Sequence, residues 1–286
     1  MVIAKGEATS YSMIIAVPGV DRIFLHNCGV NNSFVASDIS DDSLRDAALF
    51  HFGYPPLMKS IYENNGLELI KMMKHAQEMG VATSLDMASI DPASEAGQID
   101  WKIILSQVLP YVDFFVPSVE ELCYMLNREL FEEWQQRASG KDITEIIDIK
   151  EEVEPLAQTC LSLGAKIVLV KCGAPGMYYC TADETTLSKI SRRIDLDVQV
   201  WANQSGFEAS YVPDRVLSGT GAGDTSIAAF LTAILDGYSL ERCLQLATAT
   251  GASCVSAHDA LSGLKSFEQL IAKIDNGWKK QEGLLC

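Results

Sequence analysis

Short apolar segments alternate with longer amphipathic segments through most of this chain. The apolar segments have the length of buried strands, roughly four to eight residues, and the longer segments carry apolar residues at helical spacing. Strands are predicted at 47–52, 81–86, 112–116 and 166–171, and helices at 57–79, 100–109, 119–126 and 151–163. Strands that alternate with helices in this way form βαβ units, so the pattern predicts a mostly parallel sheet covered by helices.

The two ends of the chain and one internal segment follow other patterns. Two β-like stretches, 12–17 and 22–26, open the chain on either side of a Pro-Gly-Val-Asp turn at 18–21. The remaining predicted elements are a helix from about Ser43, a strand at 177–180, and helices at 223–236, 239–257 and roughly 266–280. The segment 128–152 is rich in charged residues, which favours a solvated surface insertion over a binding element.

Composition narrows the class of protein. The chain has 286 residues, 48% of them hydrophobic, which is enough for one large α/β domain. The net charge of −16 argues against nucleic acid or an anionic membrane as a partner. The eight cysteines are scattered without paired spacing, and neither a signal peptide nor a membrane-spanning segment is recognisable. These features predict a cytoplasmic protein.

The most informative stretch is 218–224, Ser-Gly-Thr-Gly-Ala-Gly-Asp, because an apolar helical pattern follows it directly. Unpaired N–H groups in the first turn of a helix bind anions such as phosphate, and glycines let an anion approach closely. Asp224 would repel a resting phosphate there, so its presence needs a chemical reason. The simplest is that Asp224 takes a proton from a substrate hydroxyl while the helix end stabilises the transferred charge.

This stretch resembles the C-terminal signature of the ribokinase-like (PfkB-type) carbohydrate kinases, usually written Asp-Thr-x-Gly-Ala-Gly-Asp. The resemblance implies a ribokinase-like three-layer α/β/α domain with a mostly parallel central sheet. It also implies an ATP- and Mg²⁺-dependent transfer of the γ-phosphoryl group to a hydroxyl of a sugar or sugar acid. On this match Asp224 is the catalytic base, and the amides of Gly221, Ala222 and Gly223 form the anion hole.

Two alternatives remain for the glycine-rich stretch. It could serve only as a helix cap, or it could belong to a dinucleotide-binding GxGxxG motif, although that motif requires a third glycine where Asp224 stands. The family's opening Asp-Thr is Ser218-Gly219 here. That opening lies near a monovalent-cation site in many members, so activation by a monovalent cation stays open.

A second motif follows the predicted strand 112–116. Pro-Ser-Val-Glu-Glu at 117–121 resembles the family's Asn-x-x-Glu motif, which organises Mg²⁺ and phosphate. The match implies that Glu121 is the metal-side acid and that Ser118, in place of asparagine, lies on the cofactor side. The alternative is a capping box, in which Ser118 caps the helix and Glu121 occupies its third position.

Further matches concern the nucleotide. Lys171, Gly173 and Gly176 follow a strand and resemble the family's Val-Thr-x-Gly-x-x-Gly segment, with lysine where threonine is common. The resemblance implies a nucleotide contact, with Lys171 available to a phosphate, whereas a simple β-turn explains the glycines equally well. Thr248 and Gly251 lie on a helix that flanks adenine in the family, and close helix packing is their alternative explanation.

On the sugar side, Asn31 matches a Gly-Ala-Asn segment of the family, and Gly53 and Tyr54 follow the strand 47–52. They are the candidate substrate residues, and Tyr54 offers a stacking face and a hydroxyl. His51 is interpreted as a satisfied residue at a strand end. Asp86 lies at another strand end but matches no recognised motif.

The family pattern also suggests a division of the chain. Residues 1–35 would be a remnant of the small β lid with substrate-side residues, and 36–286 the nucleotide-binding and catalytic domain. The first strand and the Gly-Gly segment of the family are not found before Thr9, which suggests a chain without the usual N-terminal portion. The alternative function is therefore a truncated or catalytically impaired nucleotide-binding relative, and a homodimer is left open.

Overall fold

The computed structural model describes residues 3–15 and 23–281. Two strands, β1 (Tyr11–Ile15) and β2 (Ile23–Asn27), pair antiparallel in a separate two-stranded sheet. The central sheet has six strands: β3 (Leu49–Phe52), β4 (Ala82–Leu85), β5 (Phe114–Phe115), β6 (Ile167–Lys171), β7 (Gly176–Thr181) and β8 (Ser205–Ala209). Their order in the sheet follows their order in the chain. Strands β3 to β6 run parallel. Strand β7 pairs antiparallel with β6, and β8 pairs antiparallel with β7.

Helices cover both faces of this sheet. They are α1 (Asp41–Arg45), α2 (Lys59–Glu78), α3 (Trp101–Val108), α4 (Val119–Leu126), α5 (Arg128–Ala138), α6 (Glu154–Ser162), α7 (Glu184–Leu187), α8 (Val198–Trp201), α9 (Ala222–Leu235), α10 (Leu240–Cys254) and α11 (Phe267–Asp275). A short π-helical turn, Ile149–Val153, leads into α6. The α/β fold with a mostly parallel sheet, predicted from the sequence, is confirmed.

Alternating strand residues divide the core into two layers. Val168 and Val170 of β6 join the cluster formed with α2 to α6, whereas Ile167 and Leu169 join the cluster formed with α9 to α11. Successive side chains of a strand point to opposite faces, so a strand buried on both sides reads as a continuous apolar run. This is why the four parallel strands could be predicted from short apolar segments.

The two strands predicted at the N-terminus pair as a separate sheet, and its assignment as a β-lid remnant stays a prediction. The side chains of both strands are exposed, including Met13, Ile14, Phe24 and Leu25. The predicted turn at 18–21 and the strand ends at 16, 17 and 22 lie outside the described residues. The division of the chain at residue 35 stays a prediction.

The prediction of a solvated surface insertion at 128–152 is wrong for the residues that face the core. Residues 128–138 form α5, in which Leu130, Phe131 and Trp134 face the core at helical spacing, and Trp134 is fully buried. The indole N–H of Trp134 donates to Glu152 Oε1 at 2.9 Å. The charged residues of this segment occupy the outer face of an amphipathic helix, so charge density alone gave a misleading picture.

Two further elements differ from the prediction. Helix α2 is interrupted at Glu63–Gly66, where Asn64, Asn65 and Gly66 adopt left-handed backbone angles. Asparagine and glycine tolerate that conformation, and a Cβ at Gly66 would approach Ile104 Cγ2 to 2.7 Å. Strand β8 was not predicted, because Ser205–Ala209 is half polar and owes its conformation to pairing with β7.

Candidate active site

The carboxyl ends of the parallel strands meet the N-terminus of α9 at one edge of the central sheet. Tyr54 follows β3, Asp86 follows β4, Ser118 follows β5, and Lys171 ends β6. Tyr54 is hydrogen-bonded to Asp224 of α9, and Lys171 to Asp86. Ligands of open α/β sheets bind beyond the carboxyl ends of the strands, so this edge is the candidate site.

The first turn of α9 is built around one glycine. Gly221 caps the helix with a left-handed φ of 76°, and a Cβ there would lie 2.3 Å from Ala260 Cβ. No larger residue fits this turn without displacing its neighbour. The N–H of Ala222 donates to Gly219 O at 3.2 Å, so an anion would have to replace that bond to use it. Asp224 lies in the first helical turn with its side chain exposed.

Tyr54 connects the end of β3 to this helix. Its phenolic hydroxyl donates to Oδ1 of Asp224, and 39% of the residue is exposed. Partial burial is the main cause that raises the pKa of Tyr54 far above its usual value. The hydrogen bond to Asp224 and the charges of Asp224, Asp86 and Glu121 add to the rise. The phenol therefore stays protonated and remains a donor at every physiological pH.

Lys171 and Asp86 form an ion pair beside α9. The ammonium lies 2.7 Å from each carboxylate oxygen, and the side chains are 14% and 3% exposed. Asp86 Oδ1 also accepts the N–H of Met87 at 2.8 Å. A Cβ on Gly223 would lie 3.5 Å from Lys171 Cδ, so the lysine passes alongside the first turn of α9. The cation is thereby held next to the predicted anion hole.

Glu121 contributes a third carboxylate at this edge. Its Oε2 accepts the N–H of Ser118 at 2.8 Å while the Ser118 hydroxyl accepts the N–H of Glu121 at 3.3 Å. The capping box is therefore present. Burial raises the pKa of Glu121, the charge of Lys171 lowers it, and the charge of Asp86 raises it further. A buried carboxylate with one oxygen engaged can still offer the other to a cation.

His51 completes the group of titratable residues. Its Nδ1 lies 3.0 Å from the Ser84 hydroxyl. Burial of the ring lowers the pKa of His51, the charge of Lys171 lowers it further, and the charge of Asp224 acts in the opposite direction. The ring is therefore neutral near pH 7, consistent with its interpretation as a satisfied strand-end residue.

The pfkB family carbohydrate kinase model matches residues 1–266 of this chain. The chain belongs to that family. Carbohydrate kinases of this kind phosphorylate sugars at the expense of ATP, and the resemblance stated from the motifs is confirmed. The family also sets aside the dinucleotide alternative for the glycine-rich stretch.

Individual relatives agree with the family. The chain is 24% identical over 265 residues to an uncharacterised sugar kinase of Archaeoglobus fulgidus, covering 91% of this chain and 82% of that protein. It is 27% identical over 267 residues to a ribokinase of Arabidopsis thaliana, covering 93% of this chain and 57% of that protein. The solved structure of Arabidopsis thaliana ribokinase with ribose and ATP superposes with a TM-score of 0.62 at 19% identity, over 93% of this chain and 69% of that one. At this identity the superposition shows the fold.

The structure gives local reasons for the other predicted nucleotide residues of this pfkB family kinase. Gly173 and Gly176 have positive φ and shape the hairpin between β6 and β7, where Cys172 N donates to Gly176 O at 2.8 Å. Gly251 lets α10 approach α9, since a Cβ there would lie 2.5 Å from Ser226 Oγ. Thr248 is buried, and its hydroxyl donates to Leu244 O at 3.1 Å. A β-turn and helix packing thus explain these residues, and their nucleotide roles stay predictions.

The predicted substrate residues are not all brought together. Gly53 lies next to Tyr54 at the end of β3 and is half-buried. Asn31 lies in a short 3₁₀ turn, Gly29–Ser33. The next residue of this turn, Asn32, accepts the N–H of Lys59 at 3.1 Å. No side-chain hydrogen bond or ion pair in 3–15 or 23–281 joins Asn31 to the group around Asp224. Its sugar-binding role stays a prediction.

Sequence reasoning missed the ion pair between Asp86 and Lys171. The sequence predicts that Lys171 faces a phosphate, but the structure gives it a carboxylate partner that follows β4, two strands away in the sheet. The available signal was positional, because Asp86 and Lys171 both stand at the carboxyl ends of predicted strands. No motif connects them, since they are 85 residues apart.

Two kinds of feature are absent from the part of the chain that the structure describes. No group of three or more histidine, cysteine, aspartate or glutamate residues there could by itself hold a metal ion. None of the helices there combines the length and the apolar character that crossing a membrane requires.

Proposed function

We propose that this chain transfers the γ-phosphoryl group of ATP to a hydroxyl of a sugar or sugar acid, with Asp224 as the catalytic base. The observation that carries the proposal is the exposed carboxylate of Asp224 in the first turn of α9, at the edge where β3 to β6 end. A base must be within hydrogen-bond reach of the hydroxyl that it deprotonates. The phenol of Tyr54 supports the proposal, because it is a hydroxyl that donates to Asp224.

The first turn of α9 supplies the electrostatic part of the mechanism. The amides of Gly221, Ala222 and Gly223 would form the anion hole, because N–H groups at the N-terminus of a helix carry partial positive charge. The N–H of Ala222 would first have to leave Gly219 O. An anion there is further stabilised by Lys171, whose side chain passes beside Gly223. In phosphoryl transfer, positioning and charge stabilisation supply almost all of the catalysis. This arrangement suits charge that develops on a transferring phosphoryl group.

The residues present fit a nucleotide with bound Mg²⁺. Magnesium in kinases is held by one or two carboxylates together with substrate phosphates and water, so a complete protein cage is not required. Glu121 would hold the ion, since its Oε2 is used by Ser118 and its other oxygen remains for the cation. The bound ion would neutralise phosphate charge during transfer.

The remaining predicted residues extend the proposal on two sides. Ser118, Gly173, Gly176, Thr248 and Gly251 would border the nucleotide. Ser118 and the two hairpin glycines are supported by the bridge between Ser118 and Lys171 at the ends of β5 and β6. Thr248 and Gly251 are supported by the close approach of α10 to α9.

The acceptor would lie on the other side of α9. Gly53 and Tyr54 border that space at the end of β3, and Asn31 is the third candidate. A sugar hydroxyl would replace the phenol of Tyr54 on Asp224 before its proton is taken.

The test is turnover with Mg²⁺-ATP and a panel of pentoses, hexoses and sugar acids. Asp224→Asn should lower kcat by about two to four decades, because the base is lost while the helix end is kept. Asp236→Asn, at the other end of the same helix, is the matched control and should leave kcat unchanged. Unchanged turnover in Asp224→Asn would refute the assigned base. A chain that gains thermal stability with ATP but phosphorylates no acceptor would instead be the nucleotide-binding relative.

A further inference from the structure

Tyr54 has a backbone conformation that is rare for a bulky residue. Its φ of 71° and ψ of 43° are left-handed, a region that glycine and asparagine adopt far more readily. Pro55 follows directly, and a residue before proline normally has an extended backbone. The carbonyl of Tyr54 accepts the N–H of Leu57 at 3.0 Å, which holds the turn together. Such strain persists only where surrounding interactions maintain it, and it is common at functional sites.

The strained turn directs the phenol to the one carboxylate that the proposed function uses as a base. Tyr54 donates to Oδ1 of Asp224 across 170 residues of sequence. The raised pKa of the phenol keeps it a neutral donor, so the contact does not depend on pH in the physiological range. With 39% of Tyr54 exposed, the side chain borders open space into which it can move.

We propose that Tyr54 is a positioning residue that occupies Oδ1 of Asp224 until an acceptor hydroxyl replaces it, and so restrains ATP hydrolysis. This inference rests on the proposed function, since it takes Asp224 as the base. With Oδ1 engaged by the phenol, Asp224 has one carboxylate oxygen fewer with which to accept a proton from water. The Tyr54 side chain is partly exposed, so a well-positioned acceptor can displace it.

The two competing reactions share their steps. With an acceptor, Asp224 takes the proton of its hydroxyl, the acceptor oxygen bonds to the γ-phosphorus, and the bond from that phosphorus to ADP breaks. With water in place of the acceptor, the same steps release ADP and inorganic phosphate. The Tyr54 contact hinders the second reaction, because water gains no binding energy from the rest of the sugar site with which to displace the phenol.

The experiment measures ADP release from Mg²⁺-ATP without acceptor. Tyr54→Phe keeps the ring and the backbone but removes the hydroxyl, and it should raise this hydrolysis about tenfold, as expected for the loss of one hydrogen bond to a charged group. Tyr124→Phe is the matched control, since it removes a phenol that donates to Gly97 O at 3.2 Å and should change nothing. Loss of a merely structural contact would lower hydrolysis and phosphorylation together.

Two further variants decide the outcome. Tyr54→Asn places a residue that tolerates left-handed angles at this turn, so it should fold even if Tyr54→Phe is unstable, and it should also raise hydrolysis. In Tyr54→Phe/Asp224→Asn the extra hydrolysis should disappear. The inference would be overturned if both single Tyr54 variants hydrolysed ATP at the unaltered rate, or if the rise persisted in the double variant that lacks the Asp224 carboxylate. In both cases phosphorylation of a sugar would still depend on Asp224. Absence of any turnover that depends on Asp224 would overturn the proposed function first.

Discussion

Two lysine–aspartate pairs stand at opposite ends of the same strand. Lys166, just before β6, lies 2.5 Å from Asp113 at the amino end, and Lys171 lies 2.7 Å from Asp86 at the carboxyl end. Lys166 and Asp113 are 3% and 2% exposed, whereas Lys171 is 14% exposed. The chemistry of the two pairs is the same, but their surroundings differ.

The amino-end pair is enclosed by hydrogen bonds. Asp113 Oδ2 accepts the N–H of Thr83 at 2.9 Å, and the N–H of Asp113 donates to the Thr83 hydroxyl at 3.0 Å. Its groups are satisfied within the protein, so its role is structural. The carboxyl-end pair instead borders Glu121 and the first turn of α9, where the proposed phosphate would lie. The comparison shows that the end of the strand, more than the residue types, separates a structural ion pair from a candidate functional one.

The largest expected effect comes from breaking the enclosed pair. Lys166→Met leaves the charge of Asp113 buried without its partner, and it should lower the free energy of unfolding by about 3–5 kcal/mol. The folded fraction should keep its specific activity, because the site at the other end of β6 is untouched. Denaturant unfolding and turnover per folded molecule check both parts.

Neutral double variants sharpen the same comparison. Lys166→Met/Asp113→Asn should recover most of the lost stability, since no unpaired charge remains. Lys171→Met/Asp86→Asn should likewise stay folded but should lose about a hundredfold in kcat, because a cation beside the anion hole is gone. Equal activity of the two double variants would contradict the distinction between the strand ends.

Substitution of Glu121 should lower activity without lowering stability. Burial raises its pKa, so the folded state binds this proton more tightly than the unfolded chain; the stabilisation that follows is present at low pH and is lost as pH rises through the raised pKa. Glu121→Gln mimics the protonated form and keeps an acceptor for the Ser118 N–H. It should lower kcat about ten- to a hundredfold through weaker Mg²⁺ organisation, and at pH 8 it should unfold at an equal or higher temperature than the unaltered chain.

The check on Glu121 is a pH series. The kcat/KM of the unaltered chain should fall toward acid with a midpoint above the usual glutamate range, and the difference in unfolding temperature should shrink toward pH 5. An unfolding temperature of Glu121→Gln well below that of the unaltered chain at pH 8 would show that the carboxylate is ionised and stabilising there.

The smallest effect is expected at Gly223. A Cβ there meets only the flexible Lys171 side chain at 3.5 Å, so Gly223→Ala should raise helix stability by about 0.5–1 kcal/mol. The methyl group would crowd the predicted anion hole and lower kcat. Gly251→Ala is the contrast, because its Cβ would lie 2.5 Å from Ser226 Oγ and should destabilise the contact between α9 and α10. Thermal unfolding and kcat of both variants check the pair; a less stable Gly223→Ala would contradict the prediction.

Most of the fold and the centre of the candidate site could be predicted from local patterns in the chain. Buried parallel strands such as β6 read as apolar runs, the capping box of Ser118 and Glu121 is a local pattern, and the glycine-rich turn before Asp224 joins backbone geometry to charge within seven residues. Each of these depends on interactions between residues close in the chain. For the same reason, local signals failed in 128–152, where packing of Trp134 against the core outweighed the charge of its neighbours.

Long-range packing sets which polar groups meet at the candidate site. Asp86 meets Lys171 across 85 residues and Tyr54 meets Asp224 across 170, and no local pattern encodes either contact. The order of the strands in the sheet brings these side chains to one edge, and the packing of α9 on that sheet adds the helix end. Burial at this edge then sets the pKa values of Tyr54 and Glu121, which depend on neighbours that the linear sequence does not place.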